Sequence, residues 1–310
     1  DTLALGNTTV FSTYKESSRN PSVAELGCAD PTNPCRLPNS FQADPPLDEV
    51  KNRSFEFGAR GVKDGLNLLG LDHSINWNAT AFAGRNYNDI IFIGGNRVGT
   101  GYFRNVGNTQ RMGTELSING KLGKNITWYG NYSYVRASFE THQKIASAGH
   151  SEALLISCEG PEEYGAGGDA AATADQESCE ARESYQIQVG PGDAIPGVSP
   201  HIGRVGFGFI PFDGLGLFVD AEYNSRQFYR GDENNAEGKQ VPGYFLLNAS
   251  LEYTVPRANA DTAGFSTSIF FEGRNLLDTN FETGGILAEN EVDGTGGSGT
   301  FVTPGQPLTV

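Results

Sequence analysis

Four cysteines are the residues whose type and spacing most directly suggest chemistry. Cys28 and Cys35 flank a short segment rich in Pro and Asp, and Cys158 and Cys179 flank a longer polar one. An even number of cysteines in turn-rich segments is typical of local disulfides in an oxidising compartment. A zinc site is the alternative, but paired zinc ligands usually lie about two to four residues apart. The spacing favours two disulfides and no metal site.

The remaining residues with chemical potential are scattered. His73, His142, His150 and His201 share no metal-ligand spacing, and we expect solvated loop positions for His142 and His150 and a strand's outer rim for His201. The acidic run 232–238 fits no calcium-loop spacing and is interpreted as a solvated loop. Ser, Asp and His occur without a Gly-x-Ser-x-Gly elbow. The sequence therefore predicts no enzyme and no cofactor.

The elements that must position any site are strands. Nine segments alternate apolar and polar residues, which indicates strands with one apolar and one polar face. No segment of comparable length has a helical period, so the fold class is all-β. A further strand could begin at residue 301. The nine segments are 8–15, 55–59, 75–83, 112–119, 126–138, 205–209, 215–223, 245–255 and 265–271.

The connections between these strands alternate in length. Short connections are 122–125, 211–214 and 256–264, and 61–72 is intermediate. Tight turns at one end and long polar loops at the other are typical of an antiparallel outer-membrane barrel, with short periplasmic turns and long extracellular loops. The long connections lie near 18–51, 84–100, 140–200, 231–240 and 277–300.

Composition excludes several other classes. The net charge of −15 has the wrong sign for binding nucleic acid through bulk charge. No run approaches about 18 consecutive apolar residues, so no transmembrane helix is predicted. The 41 glycines disfavour a helical bundle, and the patterned aromatic residues disfavour a disordered chain.

The predicted polar face carries mixed charges, which suits pairing across a wet lumen. Trp77 and Trp128, with the tyrosines at 129, 132 and 134, suit an interfacial aromatic girdle, although ordinary strand propensity explains them equally well. Alternation alone also fits a soluble β-sandwich. The charged residues on the polar face are Glu56, Arg60, Glu115, Asp220, Glu222, Arg226, Glu252, Glu272 and Arg274.

Six motifs, in order along nearly the whole chain, resemble those of TonB-dependent outer-membrane receptors. Each motif alone is weak, but their common order makes the resemblance fairly specific. The motifs are Tyr14-Lys15-Glu16 with Arg19-Asn20-Pro21-Ser22 and Glu25-Leu26, Ser54 to Arg60, Asn105 to Leu116, Ile195 to His201, Val241 to Tyr244, and Asn275-Leu276-Leu277-Asp278 with Phe281.

The resemblance implies a transmembrane barrel of about 22 strands with an N-terminal plug, energised by the TonB complex. The chain shows no plug or TonB box, so we interpret residues 1–310 as the C-terminal part of such a barrel, about ten strands. The implied protein lies in the bacterial outer membrane, contacts its lipid and imports a ferric siderophore or similar bulky nutrient. The alternatives are a soluble secreted all-β binding or adhesion domain and a diffusion porin.

The candidate ligand-binding residues lie around one long loop and the strand returning from it. They are Arg85, Tyr87, Arg97 and Arg104. Arginine suits anionic groups through bidentate contacts, and tyrosine suits catecholate groups through stacking. The alternative is that these side chains anchor to lipid headgroups or to neighbouring loops.

Overall fold

A computed structural model gives the structure of the chain. The residues that it describes are 7–30, 47–68, 70–94, 101–147, 149–156, 184–255, 267–290 and 297–309. Within them, strands predominate, and the one α-helix, α1 (Val23–Leu26), has a single turn capped by Ser22 and Glu25. No helix among these residues is long and apolar enough to cross a membrane.

Nine strands form one antiparallel sheet in sequence order, which confirms the predicted strand count and the all-β class. The other strands lie in the connections that join or follow these nine. The nine strands are β1 (Asn7–Arg19), β2 (Val50–Leu68), β3 (Leu71–Tyr87), β6 (Thr109–Leu122), β7 (Ile126–Phe139), β11 (His201–Phe212), β12 (Leu215–Asn224), β15 (Tyr244–Thr254) and β16 (Ser268–Gly273).

The cross-strand register places the apolar residues of all nine strands on one face, here called the apolar face. Directly paired residues share a face of the sheet, so each row can be followed from strand to strand. One such row, running from β3 to β15, is Ala79, Leu116, Tyr132, Gly203, Tyr223 and Phe245. The opposite, polar face carries most of the charged residues that alternation assigned to it.

The turns at one end of the sheet are shorter than the alternation suggested. The predicted intermediate connection 61–72 is mostly strand, because β2 continues to Leu68 and β3 begins at Leu71. A bulge between Lys63 and Leu66, with Gly65 at φ +70°, interrupts the period of two and hides the strand from pattern analysis. The turns at 123–125 and 213–214 are similarly tight.

The long connections lie at the opposite end and contain small sheets of their own. The further strand suggested from residue 301 is present within β18 (Gly297–Pro304), but it pairs with β17 (Glu282–Asn290) in a local hairpin and does not join the main sheet. The local strands are β4 (Ile90–Gly94), β5 (Gly101–Asn105), β8 (Gln143–Ala146), β9 (Leu154–Ile156), β10 (Ser184–Val189), β13 (Gln227–Phe228), β14 (Gln240–Val241), β17 (Glu282–Asn290) and β18 (Gly297–Pro304).

The largest buried core among the described residues lies in these connections, not in the sheet. We call these long connections, with their local strands, the loop layer. Its core joins β4, β5, β8 and β10 to the end of β7 and to the segment that precedes β11, and burial of apolar surface stabilises it. The core residues are Ile93, Tyr102, Val106, Ala137, Phe139, Ile145, Ala146, Ile187, Val189 and Ile195. A second cluster, Tyr229, Val241 and Leu287, joins β14 to β17.

Candidate functional site

The apolar face is open to the surroundings. Val205 is 58% exposed and Phe207 50% exposed, although both lie in the middle of a strand. Comparable exposure continues across the sheet at Phe57, Leu116 and Val219. An exposed apolar band of this width marks contact with a membrane or a partner, because a soluble surface rarely carries one.

The polar face is held by side-chain bonds between neighbouring strands. Arg204 of β11 pairs with Asp220 of β12 at 3.2 Å, and Asn248 of β15 donates to the same carboxylate at 3.1 Å. Ser117 of β6 donates to Asn131 of β7 at 2.8 Å. This face is therefore suited to a water-filled interior, as the sequence predicted.

Aromatic residues lie at both edges of the apolar face. Trp77 and Trp128 lie near the short turns, where the Trp128 indole N–H donates to His73 at 3.1 Å. Near the loop layer, Tyr132 bonds His201 at 2.7 Å, in agreement with the expected rim position of that histidine. Tyr129 was assigned to the same girdle, but its ring lies against Gly206 on the polar face.

Two of the predicted ligand residues lie together at the loop-layer end of β3. Arg85 and Tyr87 occupy the same face as Ala83, which is the apolar one. Arg85 donates to Glu140 at 2.6 Å, and the guanidinium groups of Arg85 and Arg53 lie 5.9 and 5.5 Å from the Tyr87 ring centroid. These contacts agree with the alternative of loop and headgroup anchoring, and a ligand role stays a prediction.

The other predicted residues are dispersed. Arg104 of β5 donates to the Lys144 carbonyl at 3.1 Å and so joins β5 to β8. Arg97 lies outside the described residues. Cys28 is buried and is not a free thiol, but its pairing stays a prediction because Cys35, Cys158 and Cys179 also lie outside them.

The sequence analysis missed a polar network on the polar face beneath the loop layer. Buried Asp89 accepts hydrogen bonds from Thr109 at 2.6 Å and from Arg111 and Asn86 at 3.2 Å. Asn88, at φ +55°, turns the chain out of β3 and points Asp89 back to these strands. An Asn-Asp pair directly after a strand was the available signal.

A second missed cluster is buried between long connections. His150 Nε2 lies 3.2 Å from Asp232, and Glu237 lies 3.7 Å from His150 Nδ1. Both partners of the 3.2 Å pair have fully buried side chains. The prediction of a solvated His150 is therefore wrong, and that of a solvated 232–238 loop is wrong for Asp232 and Glu233, although Ala236 and Gly238 are exposed. Packing against β17 and hydrogen bonds with Ser147 and Ser151 hold this segment against the rest of the protein.

Burial also changes the acidity of this cluster. Burial raises the pKa of Glu233 to about 7, although the hydrogen bond that the Gly231 N–H donates to its carboxylate at 2.9 Å acts to lower the pKa. Burial also raises the pKa of Asp232, although the His150 hydrogen bond opposes it. One oxygen each of Asp232 and Glu233 has no hydrogen-bond partner. Across the described part of the chain, no group of three or more His, Cys, Asp or Glu side chains is arranged to hold a metal ion.

Comparisons with known proteins identify the architecture. A family model described as "TonB dependent receptor-like, beta-barrel" matches residues 3–276. A search of curated protein sequences gives no match.

Solved structures share the fold. The siderophore receptor PiuA from Acinetobacter baumannii matches with a TM-score of 0.56 and 16% identity, over 97% of this chain and 32% of that one. The copper transporter OprC matches with a TM-score of 0.56 and 15% identity, over 99% of this chain and 36% of that one. The ferric yersiniabactin uptake receptor FyuA from Yersinia pestis matches with a TM-score of 0.54 and 13% identity, over 97% of this chain and 33% of that one. The chain spans about a third of the length of these structures.

The exposed apolar face, the polar opposite face and the grouped long connections now have one explanation. They are the lipid face, the lumen face and the connections at one end of an antiparallel barrel in the bacterial outer membrane, which sets aside a soluble secreted domain. That these connections are extracellular stays a prediction. The chain belongs to the TonB-dependent receptor family and contributes part of its β-barrel.

Proposed function

We propose that this chain forms part of an active-transport receptor that imports a ferric siderophore or a similar bulky nutrient, energised by the TonB complex. The family match over residues 3–276 is the observation that carries the proposal. The structural neighbours described as siderophore receptors favour this cargo class. The receptor binds and passes its cargo without changing it chemically.

The loop layer supports this role because it offers a fixed external surface. Its core ties β4, β5, β8 and β10 to the ends of the membrane strands, so the connections are held in place before a ligand arrives. Preorganised loops lose little conformational entropy on binding, which raises affinity for a dilute nutrient. A diffusion porin, the remaining alternative, has no need of energy from TonB.

The experiment measures uptake of radioactive iron as a panel of ferric siderophores in three otherwise identical strains. One strain carries the native receptor gene, one lacks it, and one carries it without a functional TonB protein. We expect uptake of at least one ferric siderophore only in the first strain. Equal uptake in the first and third strains indicates passive diffusion and contradicts active transport.

The predicted ligand residues give a second test of the same proposal. If Arg85, Tyr87, Arg97 and Arg104 contact the cargo, Arg104→Gln weakens ferric-siderophore binding, whereas Arg60→Gln on the lumen face of β2 does not. A bidentate arginine contact to an anionic group contributes about 1.5–3 kcal/mol, or roughly tenfold or more in Kd. Unchanged affinity in all four single variants removes these residues from the site.

A further inference from the structure

A cavity of about 750 Å³ lies where β7, β11, β12 and β15 meet the loop layer. We call it the rim cavity. Five of its lining residues occupy lipid-facing positions in the register, so the cavity opens beside the membrane-contacting surface. These residues are Tyr134, Arg136, His201, Tyr223 and Phe245.

The charge of the rim cavity is opposite to that of the chain. The lining residues that the structure describes include Arg136, Arg226 and His201 but no Asp or Glu, whereas the whole chain has 37 acidic and 22 basic residues. Arg226 was predicted to lie on the polar face, but β12 ends at Asn224, so strand alternation does not govern its position.

In the described part of the chain, the guanidinium groups of Arg136 and Arg226 have no partner within the protein. Arg53 and Arg85, at the same edge of the sheet, form ion pairs with Glu16 and Glu140. Within the described residues, Arg136 and Arg226 are exposed, and their side chains make no ion pair or hydrogen bond. Two unpaired guanidinium groups at one concave site favour an anion that accepts several hydrogen bonds, as a phosphate group does.

The surface next to the cavity is apolar and exposed, so a ligand that extends beyond the cavity is favoured if its other part is apolar. Tyr223 and Phe245 are paired in the register and about half exposed, and Val205 and Val219 extend the apolar face toward the membrane centre. A molecule that meets both surfaces has an anionic head at the rim and a hydrocarbon body along the strands.

We propose that the rim cavity binds the phosphorylated headgroup of an outer-leaflet lipid. Arg136 and Arg226 hold the phosphate, and the acyl chains lie along Tyr223, Phe245 and the strands below. The bond of 2.7 Å between His201 and Tyr132 fixes the imidazole at the cavity wall. This inference concerns the lipid-facing surface and does not depend on what the receptor transports.

The test is native mass spectrometry of the receptor purified from outer membranes in mild detergent, titrated with a phosphorylated outer-leaflet lipid. The same lipid after phosphatase treatment is titrated in parallel. We expect the native protein to bind the phosphorylated form at least about tenfold more tightly. Arg136→Gln and Arg226→Gln each weaken that binding about fivefold or more, because each removes a charge-assisted contact.

Arg60→Gln is the matched control, since Arg60 is exposed on the lumen face of β2 and loses the same charge. Thermal unfolding of each variant verifies that the barrel is intact. The proposal is overturned if both lipid forms bind equally, or if all three variants lose affinity alike. It is also overturned if inorganic phosphate or a soluble anionic chelate displaces the lipid at comparable concentration, or if the native protein retains no lipid.

Discussion

The buried carboxyl of Glu233 gives the sharpest prediction, because its protonation is linked to the stability of the loop layer. Burial raises its pKa from an ordinary 4.5 to about 7. A raised carboxyl pKa means that the folded loop binds the proton more tightly than the open loop. Stability from this group is therefore fully present below about pH 4.5 and is lost as pH rises through 7.

The size of the effect follows from that difference. About 2.5 pH units at about 1.4 kcal/mol per unit gives about 3.5 kcal/mol, or roughly three-hundredfold in the equilibrium for local opening. Glu233→Gln mimics the protonated form at every pH. The variant should match the native protein near pH 4.5 and protect the loop layer roughly three-hundredfold better near pH 9, on the same reasoning.

Hydrogen exchange measures this opening directly. The amide N–H of Leu287, which bonds the Arg230 carbonyl at 2.7 Å, reports on the packing of β17 against the 229–241 connection. Protection factors, corrected for the intrinsic exchange rate at each pH, are compared for the native protein and the variant. Glu152→Gln, an exposed change in the same layer, serves as control. A stabilisation that is the same at pH 5 and pH 9 refutes the buried-acid explanation.

Three further predictions concern the sheet and the loop core. Val219→Lys, on the lipid face, should destabilise the barrel by about 2–4 kcal/mol in urea unfolding from lipid vesicles, whereas Ser250→Lys on the lumen face should cost far less. Phe139→Ala, at a fully buried position, should cost the loop layer about 3–5 kcal/mol in hydrogen exchange and should leave strand pairing intact. Arg204→Ala should cost less than about 1 kcal/mol in the same urea assay, because its ion pair with Asp220 is half-exposed.

The sequence was sufficient for the strands because alternation and burial agree there. The lipid-facing residues follow the period of two along most of each strand, and irregularities at Gly65 in β2 and between Phe209 and Phe212 in β11 interrupt it. The observed register keeps this pattern on one face of the sheet, since a slip of one residue would turn charged side chains toward lipid.

The candidate sites were less predictable because they depend on contacts between distant connections. Asp89, which follows β3, bonds Thr109 at the start of β6, and His150 contacts Asp232, 82 residues further along the chain. The Asn-Asp pair after β3 signals a turn at Asp89, but no local pattern shows that Asp89 or His150 is buried. Arg85 was identified as a residue of interest from its type, but only the register places it on the lipid-facing side of the rim.

The shared core of the loop layer affects how such a receptor can change its specificity. Ile93, Phe139, Ile145 and Ile195 pack together although they come from different connections and strand ends. A loop of different length inserted at one connection would leave a cavity or a clash under the other three, at a cost of several kcal/mol. The layer as a whole is therefore the unit that can be exchanged between receptors, and a graft of one loop requires its neighbours' core residues as well.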